Sequence, residues 1–433
     1  MGVNIPKRLS AAILKSLQAG VVPRVGLEYV AVGRRREIEA VLTDLENISQ
    51  GGAAFRFITG RYGSGKSFFL QALRNFAMEK EFLVADVDLS PEKRLTGSGK
   101  GLETYRELME RLSTNVRPDG GALESVLQKW INLIKSNLIK DGLLPSDMDF
   151  DSRVEIKIFE TLNDMENFAH GFDFAAAVSV YYRAYTGGDD IKKQAALRWL
   201  RGEYSTKTEA RANLPVGEIV TDDNWYEYIR LFAAFCSRIG YRGFLVFIDE
   251  CVNLYKIVNR QSRENNYEKL LAMFNDCLQG KAQNLGIFAA GTPQFMEDER
   301  RGLASYAALK SRLAGNRFVR DGFTDSAGPV IRLLQLTREE LYVLLERLAG
   351  IHAKHYEYEQ RLGERELTIF LEMALSVPGA DEFLTPREIT RDFLGLLNIM
   401  NDEPSAAFDE IIRRQNFTAA AAADSSIYAE FEI

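Results

Sequence analysis

Gly60-Arg61-Tyr62-Gly63-Ser64-Gly65-Lys66-Ser67 follows the short apolar run Phe55–Thr59 and leads through Phe68-Phe69-Leu70 into a helical stretch, Ser67–Met78. An apolar run, a glycine-rich turn and a helix make a strand–loop–helix unit. Its glycines let successive backbone N–H groups converge on an anion at the helix amino terminus. The eight residues fit G-x-x-x-x-G-K-[S/T]. Lys66 is therefore expected to reach the β- and γ-phosphates of a nucleotide, and the Ser67 hydroxyl to ligate Mg²⁺. The bland alternative is a flexible glycine loop.

Outward from this unit, Phe82–Leu89, Gly243–Ile248, Leu285–Ala290 and Val330–Leu334 are further apolar runs of buried-strand length. With Phe55–Thr59 they predict an α/β fold, a parallel five-stranded sheet with helices on both faces. The gap between the second and third strands far exceeds a crossover, so residues 91–235 are expected to form a mainly helical insertion. Leu123, Leu127, Trp130, Ile134 and Leu138 fall there at near-heptad spacing, and Phe172–Tyr185 and Ile191–Glu203 read as helices broken by Gly187-Gly188 and Gly202. Before the sheet, residues 6–19 and Glu37–Ile48 carry helical apolar stripes. Thr337 with Glu340 forms a capping box opening a C-terminal helical lid. The expected organisation is 1–90, an N-terminal helix and the first part of the core; 91–235, the insertion; 236–335, the second part of the core; 336–400, the lid; and 401–433, a tail ending in Ile427–Ile433, an edge-strand or partner segment.

Phe244-Leu245-Val246-Phe247-Ile248 ends in Asp249-Glu250. After an apolar strand, Asp249 is suited to hold Mg²⁺ through water and Glu250 to orient and polarise an attacking water. The alternative is that both merely cap the next helix. The fourth strand ends Gly291-Thr292-Pro293, where Thr292 is a candidate γ-phosphate or water sensor or simply a turn residue before proline. Arg312 and Arg387 are candidates to supply a guanidinium to the γ-phosphate, a group often provided by a neighbouring subunit; exposed arginines are also common on any surface.

Bulk properties narrow the class. Among 433 residues, 46% are hydrophobic, and 54 Lys and Arg against 61 Asp and Glu give a net charge of −7, which offers no whole-molecule attraction to nucleic acid. Cys236, Cys251 and Cys277 lack metal-ligand spacing and read as buried thiols of a cytoplasmic protein. No apolar run approaches the roughly 18 residues of a membrane span. His352 and His355 share a helix at i, i+3, but a metal site needs a third ligand, and none is near in sequence. His170 stands alone. Lys192, Lys193, Arg198, Arg201, Lys207 and Arg211 surround Trp199 and Tyr204, either as a phosphate-backbone contact or, the favoured reading, as a solvated helical face. The first forty residues carry more basic than acidic groups, which the expected closeness of Arg34–Arg36 to the nucleotide site explains.

The order of Val32-Gly33-Arg34, the glycine loop, the Asp-Glu strand, Thr292, the Ser311-Arg312 helix and Thr385-Pro386-Arg387 resembles AAA+ P-loop ATPases of the origin-recognition or STAND-like branch. That resemblance implies that the segment Tyr29–Gly33, with Val32 and Gly33, lies against the adenine. It also implies that Gly60, Tyr62, Gly63, Ser64, Gly65, Lys66, Ser67, Phe68 and Arg387 line the nucleotide. More narrowly, Gly20-Val21-Val22-Pro23-Arg24, the glycine loop and Ala196-Leu197-Arg198-Trp199-Leu200-Arg201-Gly202 resemble ATP-binding proteins of phage-defence operons, BREX (BrxD-type) and Shango. The resemblance implies an ATP- and Mg²⁺-dependent ATPase with a homo-oligomeric or helicase or TerB-like partner. It departs from the initiator pattern in that residues 401–433 are too few for a winged helix, so DNA contact is expected to be indirect or through the insertion. Two other classes stay open: a nucleotide-gated scaffold with little hydrolysis, and a small-molecule kinase. GTP is the alternative nucleotide.

Overall fold

In the computed structural model of the protein, residues 5–165, 168–315, 325, 327–376 and 385–413 are described; the expected C-terminal edge segment lies outside them. The five apolar runs are strands: β1 (Ala53–Thr59), β2 (Leu83–Asp88), β3 (Phe244–Asp249), β4 (Leu285–Gly291) and β5 (Val330–Arg332). They form one sheet in the order β2-β3-β4-β1-β5, and the β2/β3, β3/β4 and β4/β1 pairings are parallel. Every residue of β4 is buried, so both faces of the sheet are covered, as unbroken apolar runs require. One face carries Phe55, Phe57, Val246 and Ile287 into a large core. On the other, Phe247 stacks on Phe288 with ring centroids 5.4 Å apart.

Register fixes what emerges at the carboxyl edge of the sheet. Thr59 pairs with Gly291 and Asp88 with Asp249, so Asp249 and the residue after Gly291, Thr292, leave neighbouring strands at the same edge. Open parallel sheets bind ligands along that edge.

The chain divides into two compact units. The larger, Arg36–Thr59 with Leu73–Ile331, holds the sheet and the helical insertion. The insertion's helices include Lys100–Glu110, Leu123–Lys140, Phe150–Asn163, Gly171–Gly187, Asp190–Leu200 and Trp225–Arg238. Leu123, Leu127, Trp130 and Leu138 are buried on one helix, as their spacing requires. They share a single apolar core with the strands, so the insertion is part of the body of this unit. Trp199 explains its segment by packing: it is fully buried, its indole N–H donates to the Glu218 carbonyl at 2.9 Å, and its ring meets Tyr228 edge-on.

The smaller unit comprises residues to Arg35, Gly60–Ala72 and the chain from Arg332. Here Ile13 and Leu14 of the first helix, Lys7–Gln18, pack with Leu345, Leu348, Phe370, Phe393 and Leu397 of the helices Arg338–Tyr356, Glu364–Leu375 and Pro386–Asp402. The Thr337–Glu340 capping box is present, and Thr385 with Glu388 forms a second. Phe408 of a short helix, Phe408–Arg413, is buried in the same cluster.

Candidate functional site

β1 ends at Thr59 and the chain enters the glycine turn at once. Gly63 (φ +77°) and Gly65 (φ +88°) are left-handed, a conformation that L side chains resist. A Cβ at Gly63 would also lie 2.2 Å from the Thr385 side chain. The Ser64 N–H closes a turn on the Arg61 carbonyl (3.1 Å), and the Ser64 hydroxyl is buried with no hydrogen-bond partner among the described residues. Lys66 begins the 14-residue helix Lys66–Glu79, and its ammonium donates to the carbonyls of Gly60 (2.9 Å) and Arg61 (3.0 Å). The first turn of this helix carries no acidic side chain, so nothing of its own neutralises the positive end of the helix dipole.

Several expected residues gather around the turn within the smaller unit. Arg34, itself left-handed, donates to the Ser64 carbonyl at 2.9 Å and to the Leu334 carbonyl. Gly33 faces Glu340, whose carboxylate would meet any Cβ there. Val32 and Phe68 are partly buried against this unit's apolar cluster, which gives both a packing role. Arg387, in the first turn of Pro386–Asp402, donates to the Tyr62 hydroxyl at 3.3 Å. Arg34 and Thr385 were not singled out as site residues from sequence; one arginine in the run Arg34–Arg36 and a helix cap give no local signal of a contact with the turn.

The acidic pair and the sensor candidate belong to the larger unit. Asp249 is the last residue of β3, and its carboxylate accepts the Glu250 N–H at 2.7 Å. Glu250 is exposed and left-handed (φ +55°). Thr292 caps a short helix by accepting the Phe295 N–H at 3.2 Å, with Pro293 in the first turn; its hydroxyl proton is not used by that bond. Arg312 is exposed and donates within its own chain, to Asn275 Oδ1 (3.0 Å) and the Ala308 carbonyl (2.9 Å).

The remaining candidates resolve into structure. His352 is buried between Tyr358 (2.8 Å) and Asn398 (3.0 Å), and burial lowers its pKa; His355 pairs with Ser10. His170 meets Glu227 at 2.7 Å. Among the described residues no group of three or more His, Cys, Asp or Glu could hold a metal. In the basic run, Lys193 pairs with Asp190, Arg198 with Glu209 and Lys207 with Glu218, which favours the solvated face over a nucleic-acid contact. All three cysteines are buried. No described helix is long and apolar enough to cross a membrane.

A second turn, Gly97-Ser98-Gly99-Lys100-Gly101, opens the helix Lys100–Glu110, and it was missed in the sequence. Its Gly97 and Gly101 N–H groups both donate to the Asp222 carboxylate, each at 2.6 Å.

A parallel sheet whose first strand feeds a glycine turn and a helix defines the class, α/β nucleotide-binding proteins. Within it, the family model described as BREX system ATP-binding protein BrxC/D matches residues 5–416, and the chain belongs to that family. The resemblance to BREX ATP-binding proteins drawn from its sequence is thus borne out. Over 126 residues the chain is also 27% identical to Histidine protein kinase 1 of Candida albicans. That stretch is 29% of this chain but only 5% of the relative's length.

Proposed function

We propose that the chain binds and hydrolyses Mg²⁺-ATP at the 60–67 turn, as an AAA+-type subunit of a phage-defence complex. The observation that carries this reading is the turn itself. Two left-handed glycines, a serine hydroxyl buried without a partner among the described residues, and a helix amino terminus with no acidic side chain in its first turn make a receptor suited to a polyphosphate. Ser67 and Asp249 would hold Mg²⁺, which when bound neutralises charge on the β- and γ-phosphate oxygens.

Each remaining task falls to a group of this chain. The turn's N–H groups hold the β-phosphate, and Lys66 exchanges its bonds to the Gly60 and Arg61 carbonyls for phosphate oxygens. Glu250 takes the proton of a water whose oxygen attacks the γ-phosphorus while the bond to the bridging oxygen breaks, yielding ADP and phosphate. The left-handed backbone at Glu250 supports this assignment, since strain of that kind is retained where it serves function. Thr292 uses its remaining hydroxyl proton on the γ-phosphate or the water. Arg387 reads the γ-phosphate, and Val32 and Gly33 border the adenine. Arg312, exposed, serves a neighbouring subunit by leaving Asn275. A core divided by the 91–235 insertion and followed by a lid at 336–400, a homo-oligomer, a helicase or TerB-like partner and a cytoplasmic location belong to the same proposal.

The test is turnover set against binding. Glu250→Gln keeps ATP affinity and loses about 10²- to 10⁴-fold in phosphate release, the range of a general base. Normal release by this variant removes Glu250 from the mechanism. Mixing Arg312→Ala with Lys66→Ala protein restores part of the activity if sites are shared; turnover per chain independent of concentration contradicts the shared site.

A further inference from the structure

The phosphate-loop pattern leaves its third residue open, yet this chain puts a tyrosine there, and Tyr62 is 71% exposed. An aromatic ring held in water on a loop calls for a partner. Within the same compact unit that partner is Arg387: its guanidinium carbon lies 5.8 Å from the Tyr62 ring centroid, and its Nη1 donates to the Tyr62 hydroxyl at 3.3 Å. Ring and hydroxyl thus hold one cation through two different contacts, a cation–π attraction and a hydrogen bond.

The backbone beneath each residue is fixed. Tyr62 lies inside the turn closed by the Ser64 N–H on the Arg61 carbonyl, and Thr385, the cap of the helix bearing Arg387, sits where Gly63 has no side chain. The Gly20 backbone passes beside the aliphatic stem of Arg387, where a Cβ would lie 3.6 Å from its Cδ. The base of the helix and the tip of its arginine therefore both meet the glycine turn. An exposed arginine otherwise samples many rotamers, and ordering it on binding costs entropy. Here the turn has already confined it.

We infer that Tyr62 is a positioning residue: it holds the Arg387 guanidinium in place beside the glycine turn and thereby sets the preference for three phosphates over two. The inference rests on the proposed nucleotide site and adds the origin of its selectivity. Arg387 touches the nucleotide; Tyr62 acts through Arg387.

The experiment measures ATP and ADP affinities of the full-length chain by titration calorimetry for wild type, Tyr62→Ala, Tyr62→Phe, Arg387→Ala, the Tyr62→Ala/Arg387→Ala double variant and Lys66→Ala. Tyr62→Ala is expected to weaken ATP about two- to fivefold, the worth of a cation–π contact at an exposed site, while leaving ADP unchanged. Tyr62→Phe keeps the ring and recovers most of the ATP-to-ADP ratio. In the Arg387→Ala background the Tyr62→Ala change has no further effect. An equal loss for both nucleotides, or a Tyr62 effect that persists without Arg387, overturns the inference and leaves Tyr62 a loop-shaping residue. Lys66→Ala separates the two levels: if it leaves ATP affinity intact, the site itself is wrong, and if it weakens ATP while Tyr62 and Arg387 are uncoupled, only the positioning role fails.

Discussion

Gly63-Ser64-Gly65-Lys66-Ser67 and Gly97-Ser98-Gly99-Lys100-Gly101 differ in one letter, and both open a helix at their lysine. Both use left-handed glycines, at +77° and +88° in the first and +112° and +84° in the second. Local backbone chemistry is thus shared; the anion is not. In the second turn the Asp222 carboxylate takes the Gly97 and Gly101 N–H groups and the Thr96 hydroxyl (3.3 Å), while Lys100 is spent on the Pro91 carbonyl at 2.6 Å. In the first, the Ser64 hydroxyl is buried without a hydrogen-bond partner among the described residues, and the lysine donates to the Gly60 and Arg61 carbonyls of its own turn. A glycine turn at a helix start is a general anion receptor. In the second turn the anion comes from the chain and makes a latch; in the first, the proposed reading takes it from solution.

The sharpest way to break this contrast is to remove each lysine. Lys66→Ala is expected to weaken ATP by about 10- to 100-fold, the loss of charge-assisted bonds to phosphate, whereas Lys100→Ala changes it less than about twofold. Equal losses in calorimetry would make the two turns functional equals. Next comes Gly101→Ser, which makes the strings identical. A Cβ there would lie 2.7 Å from the Leu95 carbonyl and 2.7 Å from the Trp225 indole nitrogen, so the variant should lose about 2 kcal/mol of stability in urea denaturation, as overpacking does. It should still bind one nucleotide per chain; a second equivalent would show that sequence alone makes the site. The smallest effect is the reverse swap. Ser67→Gly removes the hydroxyl proposed for Mg²⁺, and the gain in ATP affinity on adding Mg²⁺ should shrink by about tenfold, or 1.4 kcal/mol. An unchanged Mg²⁺ dependence takes Ser67 out of the metal shell.

The contrast also marks what was legible in the sequence. The five strands were, because buried parallel strands are unbroken apolar runs, and so was the Thr337 cap, because a capping box is local. Asp222 was not: it lies 121 residues from Gly101, and no local pattern announces such a partner. Arg34 looked like one of several arginines until its bond to the Ser64 carbonyl was visible. The helix Lys7–Gln18 showed its apolar stripe, but periodicity gives a face without naming what covers it, here the helices that follow residue 337. Thr292 was open between sensor and turn residue; it caps the short helix that begins at Pro293, and its remaining proton keeps the sensor role available. Part of the expected tail was legible only as composition, since Phe408 joins the core of the smaller unit through contacts distant in sequence.

The buried cysteines have a practical corollary. Burial pushes the thiols of Cys236 and Cys251 well above their usual range and that of Cys277 up to about 12, so almost no thiolate forms near neutral pH. A maleimide dye added to the native protein should find nothing to alkylate until the fold opens. The rate of native labelling is then a clock for that opening, and a cysteine installed at the fully exposed Met148 would take up a single fluorophore without removing any natural thiol.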